Sequence, residues 1–266
     1  MPSHPRSRFV APPSIQAGSS LADLLDGTAI GLIGESFAVS TPGFDLTQFV
    51  ADATSAARDL SLKSRAVAIA KVLREALPPD DHAALACLRR SWGPELTRTH
   101  DNGLSGLFYM PHSALLGEFG GTGDDVLFSA ALDANFELTT RFTAEFSIRP
   151  FLHARLAQTL QRLGQRVDDP NPHIRRLISE GTRPRLPWAT HLQAVRTDPT
   201  LTLPLLTALR DDADRYVTRS VANHLGDLGK DHPDLLLETC RAWLDELGGL
   251  SGAAAKERRW LIRHAL

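Results

Sequence analysis

The stretch from Asp168 to Trp188 reads DDPNPHIRRLISEGTRPRLPW and holds more chemistry than a packing helix requires. Ile174, Leu177 and Ile178 stand at helical spacing and suffice to bury one face. Arg175, Arg176, Arg183, Arg185, Glu180 and Trp188 are surplus to that need. Arginines suit phosphate, a carboxylate suits a developing positive charge, and an indole face suits a cation. Trp188 follows the proline-stiffened run GTRPRLP, which stops the helix before it and offers the ring either to a groove edge or to the core.

Two further carboxylates fall in register with this segment. Laying Arg141-Phe142-Thr143-Ala144-Glu145 over Arg176-Leu177-Ile178-Ser179-Glu180 makes arginine and glutamate coincide, so Glu145 and Glu180 are expected at equivalent points of adjacent inner helices. Asn223 holds the corresponding position of the next unit, and Asp227 lies one helical turn beyond it on the same face. Such a trio either faces one catalytic space or pairs with the inner arginines to hold the units together. The arginine excess between Arg149 and Arg196 is open in the same way, as a phosphate-binding stripe or as solvated helix faces.

The elements that must carry these residues are helical. The pattern around Arg176 recurs around Arg219 and again around Arg263, a period of about 43 residues, which indicates stacked helix pairs of the HEAT-like kind. The expected fold class is all-α, an α-solenoid of HEAT-like repeats whose second helices line a concave DNA-binding groove. Residues 1–20 are expected as a flexible tail, residues 21–266 as the repeat domain, most regular over 126–266. Helices are predicted over Leu46 to Leu60, Leu62 to Leu77 (stopped by Pro78-Pro79), Val126 to Glu145 and from about Ala253 onward. The segment from Leu96 to Asp125 reads as irregular, and Gly34 to Pro42 and Gly120 to Asp124 read as local insertions.

Composition narrows the class. With 42% hydrophobic residues and a net charge of −2, the 266-residue chain has a large core and no uniform basic coat. Cys87 and Cys240 lack CxxC spacing and read as buried small hydrophobes, so neither disulfide nor zinc site is expected. No cofactor or metal is called for. The absence of a long apolar run points to a cytoplasmic protein with no membrane partner, most simply a monomer.

Four segments carry a resemblance. Gly103-Leu104-Ser105-Gly106 with Phe108-Tyr109-Met110-Pro111-His112-Ser113, RFTAEFSIRPFL from Arg141, NPHIRRLISEGTRPRLPWA from Asn171, and YVTRSVANHLGDLGKDHPDLLL from Tyr216 resemble the DNA alkylation-repair glycosylases of the AlkC branch of the AlkC/AlkD superfamily. The resemblance implies a bacterial, nucleoid-associated enzyme acting on double-stranded DNA containing alkylated bases. Its implied substrates are N3-methylated bases, 3-methyladenine first and 3-methylcytosine as a further candidate. It also implies that Glu145, Glu180, Trp188 and Asp227 occupy lesion-site positions, with access from bent DNA rather than a deep base-flipping pocket. The final helix reaches Leu266 without capping residues, where some members continue into another helical unit and an immunoglobulin-like domain, so a shorter variant or a piece of a longer chain is expected.

These residue types fit that chemistry. A base methylated at N3 is cationic and leaves readily, so cleavage of its N-glycosidic bond needs stabilisation of an oxocarbenium-like sugar more than acid catalysis. Glu180 and Asp227, with Glu145 beside them, are the expected catalytic carboxylates, one of them activating water. Trp188 is the expected lesion-binding face, and Arg175, Arg176, Arg183 and Arg185 the expected DNA-backbone contacts. Two rivals remain open at this level: a HEAT-repeat scaffold binding nucleic acid or protein without chemistry, and a glycosylase of different lesion range, such as one for N7-alkylpurines.

Overall fold

The structure is a computed structural model that describes residues 3–249 and 252–266. The described residues form α-helices and short 3-10 turns, with no strand among them. The chain divides into two compact units, Met1–Phe151 and Leu152–Leu266.

In the first unit, α1 (Gly27–Ala38), α2 (Leu46–Ala56), α3 (Leu62–Ala76), α4 (Asp81–Arg90), α5 (Met110–Glu118) and α6 (Asp125–Thr139) follow one another. Four of them start at an aspartate. Asp26, Asp45, Asp80 and Asp124 each accept a hydrogen bond from a first-turn backbone N–H, which satisfies donors that a helix cannot pair internally. Gly34 lies inside α1, where α1 and α2 pack so closely that a Cβ would come within 2.6 Å of Leu46 Cδ1. Helix α5 crosses the segment expected to be irregular. Because Met110, Pro111, His112, Ser113, Leu115, Leu116 and Gly117 are all buried, it has no polar face for a helical period to reveal.

The amino-terminal residues are docked, contrary to the expected tail. Phe9 is buried against the Phe108 ring at a 5.7 Å centroid separation, the His4 Nε2 group bonds the Ser91 carbonyl at 3.0 Å, and Leu104 N–H donates to the Pro12 carbonyl. A 3-10 turn over Pro5–Arg8 and a capping box at Ser20 give this stretch local order. Helix α6 ends at Thr139, six residues before the expected end. Beyond it the Arg141 guanidinium turns back onto the Glu137 and Gly93 carbonyls, each at 2.7 Å, and the chain makes a turn before α7 (Ile148–Ala154).

The second unit contains α8 (Leu156–Gly164), α9 (Pro172–Gly181), α10 (Gln193–Thr197), α11 (Leu203–Leu209), α12 (Arg215–Gly229), α13 (Pro233–Asp245) and α14 (Gly252–Ala265). Here the sequence period is realised: Arg176, Arg219 and Arg263 fall on α9, α12 and α14, with α12 packed between the other two. The close approach of α12 to α14 is permitted by Gly226, whose missing Cβ would lie 3.1 Å from the Ala265 carbonyl oxygen. Cys87 and Cys240 are buried, like the small hydrophobes expected, and Trp92 and Trp243 are core residues. Trp260 is half-buried, between the Arg215 guanidinium at 4.0 Å and a stacked His264 ring. No helix among the described residues is long and apolar enough to cross a membrane.

Candidate active site

The site residues of the second unit are positioned by α9, α12 and the loop between α9 and α10. Asn171 caps α9 and Pro172 occupies its first turn, so the helix has a fixed start; Ile174, Leu177 and Ile178 then bury its inner face, each contributing about 2 kcal/mol. Glu180 falls in the last turn, 5% exposed. Asp227 lies toward the end of α12, 2% exposed and seven residues after Ser220, so both share one face of that helix.

One guanidinium joins the two acids. Arg183 donates from Nη1 to Glu180 Oε1 at 2.7 Å and from Nε to Asp227 Oδ2 at 2.8 Å. The other oxygens are also engaged: Ser220 Oγ donates to Glu180 Oε2 at 2.6 Å, and Lys230 Nζ donates to Asp227 Oδ1 at 2.9 Å. Arg176, one turn before Glu180, places its Nη2 3.6 Å from Oε1 and lays its guanidinium over the Tyr216 ring at 4.8 Å. Burial pushes the Glu180 carboxyl up more than any single neighbour opposes it, yet Arg176, Arg183 and Ser220 together hold it below the usual glutamate range. Glu180 is therefore ionised at neutral pH although almost wholly enclosed.

On α12, three residues before Asp227, His224 is fully buried between the Ser179 carbonyl at 3.0 Å and Thr202 Oγ1 at 3.3 Å. Burial, only partly opposed by the Ser179 carbonyl, pushes its pKa down to about 4, so the ring is neutral at pH 7.

Trp188 stands on the loop that follows. It is 60% exposed and its backbone adopts φ of 64°, a left-handed conformation that a bulky side chain rarely takes. The loop is pinned on both sides of it. Leu186 and Leu192 are buried, and Leu192 N–H bonds the Pro184 carbonyl at 3.1 Å. Arg185 and Arg196 each make two hydrogen bonds to Asp231, just past the end of α12. Those two guanidinium groups hold the Asp231 carboxyl far below the usual aspartate range.

Of the residues expected to act, the structure gathers Glu180, Asp227 and Arg183 into one network, with Arg176 at its edge. Glu145 belongs to the first unit and does not sit on a helix as the overlay with Glu180 requires; it lies in the turn before α7, where Oε2 accepts from Thr143 Oγ1 at 2.7 Å. The four arginines expected on phosphate are all turned toward acids of the chain. Arg175 pairs with Asp212 through Nε at 2.6 Å and Nη2 at 2.9 Å, and its Nη1 donates to the Asp169 carbonyl. Ser220, Lys230, His224 and Asp231 went unrecognised in the sequence. For Ser220 a signal exists, since it stands two turns before Asp227 on the same face; for Asp231, a surface aspartate in a turn, none does.

No protein-family model matches the chain. It is 33% identical over 207 residues to the uncharacterized protein YhaZ of Bacillus subtilis (strain 168), covering 78% of this chain and 52% of YhaZ. Among solved structures it is similar to the Pseudomonas fluorescens alkylpurine DNA glycosylase AlkC bound to DNA containing an abasic site analog, at 30% identity and a TM-score of 0.75, covering 94% of this chain and 64% of that one. The chain thus spans about half the length of its curated relative and under two thirds of AlkC. In both fold and sequence the chain is similar to AlkC, and its fold is the AlkC-like helical repeat.

Proposed function

We propose that this chain is a DNA glycosylase that hydrolyses the N-glycosidic bond of cationic N3-alkylated bases, 3-methyladenine foremost. The observation that carries the reading is the buried, ionised Glu180 joined to Asp227, next to a loop that holds Trp188 exposed on a strained backbone, in a chain similar to an alkylpurine DNA glycosylase. A methylated base leaves as a neutral product, so positive charge grows on the sugar; carboxylates in a water-poor setting lower the energy of that sugar. Asp227 or Glu180 then orients the attacking water and takes its proton. Trp188 supplies a flat face for the cationic base. Glu145 is assigned to the same chemistry from the family resemblance alone, since its place in a turn removes the helical register drawn for it. Double-stranded DNA is the partner, and the work would be done at the nucleoid by a monomer.

A second reading has one specific support. Each oxygen of Glu180 and Asp227 already accepts a hydrogen bond from the chain, as expected of a scaffold joint. Base release from methylated duplex DNA separates the two. The enzyme reading expects free 3-methyladenine from the native chain, with Glu180→Gln or Asp227→Asn lower by about a hundredfold or more, and a smaller loss for Glu145→Gln. No release by the folded native chain overturns it, and release of 7-methylguanine in preference to 3-methyladenine redirects it to N7-alkylpurines.

A further inference from the structure

Arg183 is the only residue bonded to both Glu180 and Asp227 among the described hydrogen bonds, and it belongs to the loop that carries Trp188. We infer that Arg183 is a positioning residue, which fixes the spacing of the two carboxylates and ties them to the loop that presents the tryptophan. The inference rests on the proposed glycosylase reading for its catalytic consequence. It reassigns a side chain expected to grip DNA.

The geometry favours that role over a phosphate contact. Arg183 is only 9% exposed, and two of its donor groups, Nε and Nη1, point at different carboxylates 44 and 3 residues away in the chain. A planar fork sets the angle between its acceptors as well as their distance, which a lysine ammonium cannot do. Five residues on, Trp188 stands on the same loop, and the Pro184 ring stiffens the link between them. A shift of the loop that moved the tryptophan would therefore stretch the Arg183 bonds. Arg185 and Arg196 anchor the same loop through Asp231, so the arrangement is braced at a second point that touches neither carboxylate.

The charged groups around the pair define what Arg183 alone supplies. From α9, Arg176 faces Glu180; from α12, Ser220 bonds it and the nearby His224 is neutral; Lys230 meets Asp227 from the helix end. Lys230 is well exposed and Arg176 is shared with Tyr216, leaving Arg183 the one enclosed cation between the acids.

The test combines a carboxyl-selective 13C NMR titration of native chain, Arg183→Lys and Arg183→Met with the pH dependence of 3-methyladenine release by the same proteins. Positioning expects the Glu180 carboxyl, identified by its loss in Glu180→Gln, to titrate about one unit higher or more in Arg183→Met, since a nearby opposite charge shifts a carboxylate by that order. In Arg183→Lys, which keeps the charge but loses the fork, the titration stays near native while kcat falls about tenfold or more and KM for DNA changes little. Native kcat in Arg183→Lys overturns the inference. So does a raised KM with unchanged kcat, which is the mark of a DNA contact. If Arg183→Met does not fold, the lysine variant alone decides. If the native chain releases no methylated base, the glycosylase reading fails, and the carboxyl titration still decides whether Arg183 organises the pair.

Discussion

Arg175 and Asp212, 37 residues apart, close a two-point ion pair that joins the start of α9 to the turn before α12. Asp212 is nearly enclosed there, and its second task is to accept the Asp214 N–H at 2.9 Å, which sets up the cap of α12. This arginine is a strut between repeats. Arg175→Ala should therefore destabilise the second unit by about 3 kcal/mol, because it leaves a buried carboxylate unpaired, while the salt dependence of binding to undamaged DNA stays at its native slope. A slope reduced by about one would instead reveal a phosphate contact.

Trp188 separates stability from function in the opposite direction. Glycine adopts a positive φ without steric cost, so Trp188→Gly relieves a backbone strain of about 1 kcal/mol. The melting temperature should hold or rise slightly. Base release should fall about tenfold or more if the ring contacts the lesion, since cation–aromatic contacts are worth about 1–2 kcal/mol. Full activity in a Trp188→Gly protein removes the tryptophan from the site.

His112 predicts a specific acid sensitivity. It is wholly buried in the first unit among the rings of Phe37, Phe108 and Tyr109, and burial pushes its pKa down to about 3. An imidazole whose folded pKa lies below its unfolded value of 6.5 binds its proton preferentially in the unfolded chain. Its stabilising effect is thus complete above pH 6.5 and drains away as pH falls toward 3. Two pH units cost about 2–3 kcal/mol for one such group. His112→Phe, which keeps an aromatic ring in an aromatic setting, should flatten the fall in urea midpoint between pH 6.5 and 4.5. An identical fall in native and variant would refute the assignment; His224 contributes to the residual slope in both.

Gly34 gives a packing test. An added methyl would meet Leu46 Cδ1 at 2.6 Å and Phe49 Cδ1 at 2.7 Å, so Gly34→Ala must push α2 away from α1. A loss of about 1–3 kcal/mol is expected, against the small gain that alanine normally brings to a helix interior. Thermal melts of the two proteins decide it.

Much of the second unit was legible because its information is local and repeated. Apolar spacing at Ile174, Leu177 and Ile178 and the recurrence around Arg219 and Arg263 place α9, α12 and α14 without reference to distant residues. Helices α2 and α3 likewise start at Leu46 and Leu62 as expected, although α2 stops at Ala56, four residues short of Leu60. Helix α5 was illegible for the opposite reason, since a helix buried all round has no period of polarity. The docking of Phe9 on Phe108 joins residues 99 positions apart, and no local pattern reports such a contact. The arginines show the same limit: their types suggested anion binding, and only the fold reveals that the anions are Asp212, Glu180, Asp227 and Asp231.

The two braces of the Trp188 loop hang from a single helix. Arg183 reaches Asp227 inside α12 and Arg185 reaches Asp231 two residues past its end, four residues along the chain. Tryptophan, loop and carboxylate are therefore cargo on one beam. A disturbance that tilts or slides α12, such as a larger residue at Gly226 against Ala265, would carry Asp227 and Asp231 together while Glu180 stays on α9, so the Arg183 fork would take up the difference. Errors in the placement of that beam are then read first in the gap between the two acids.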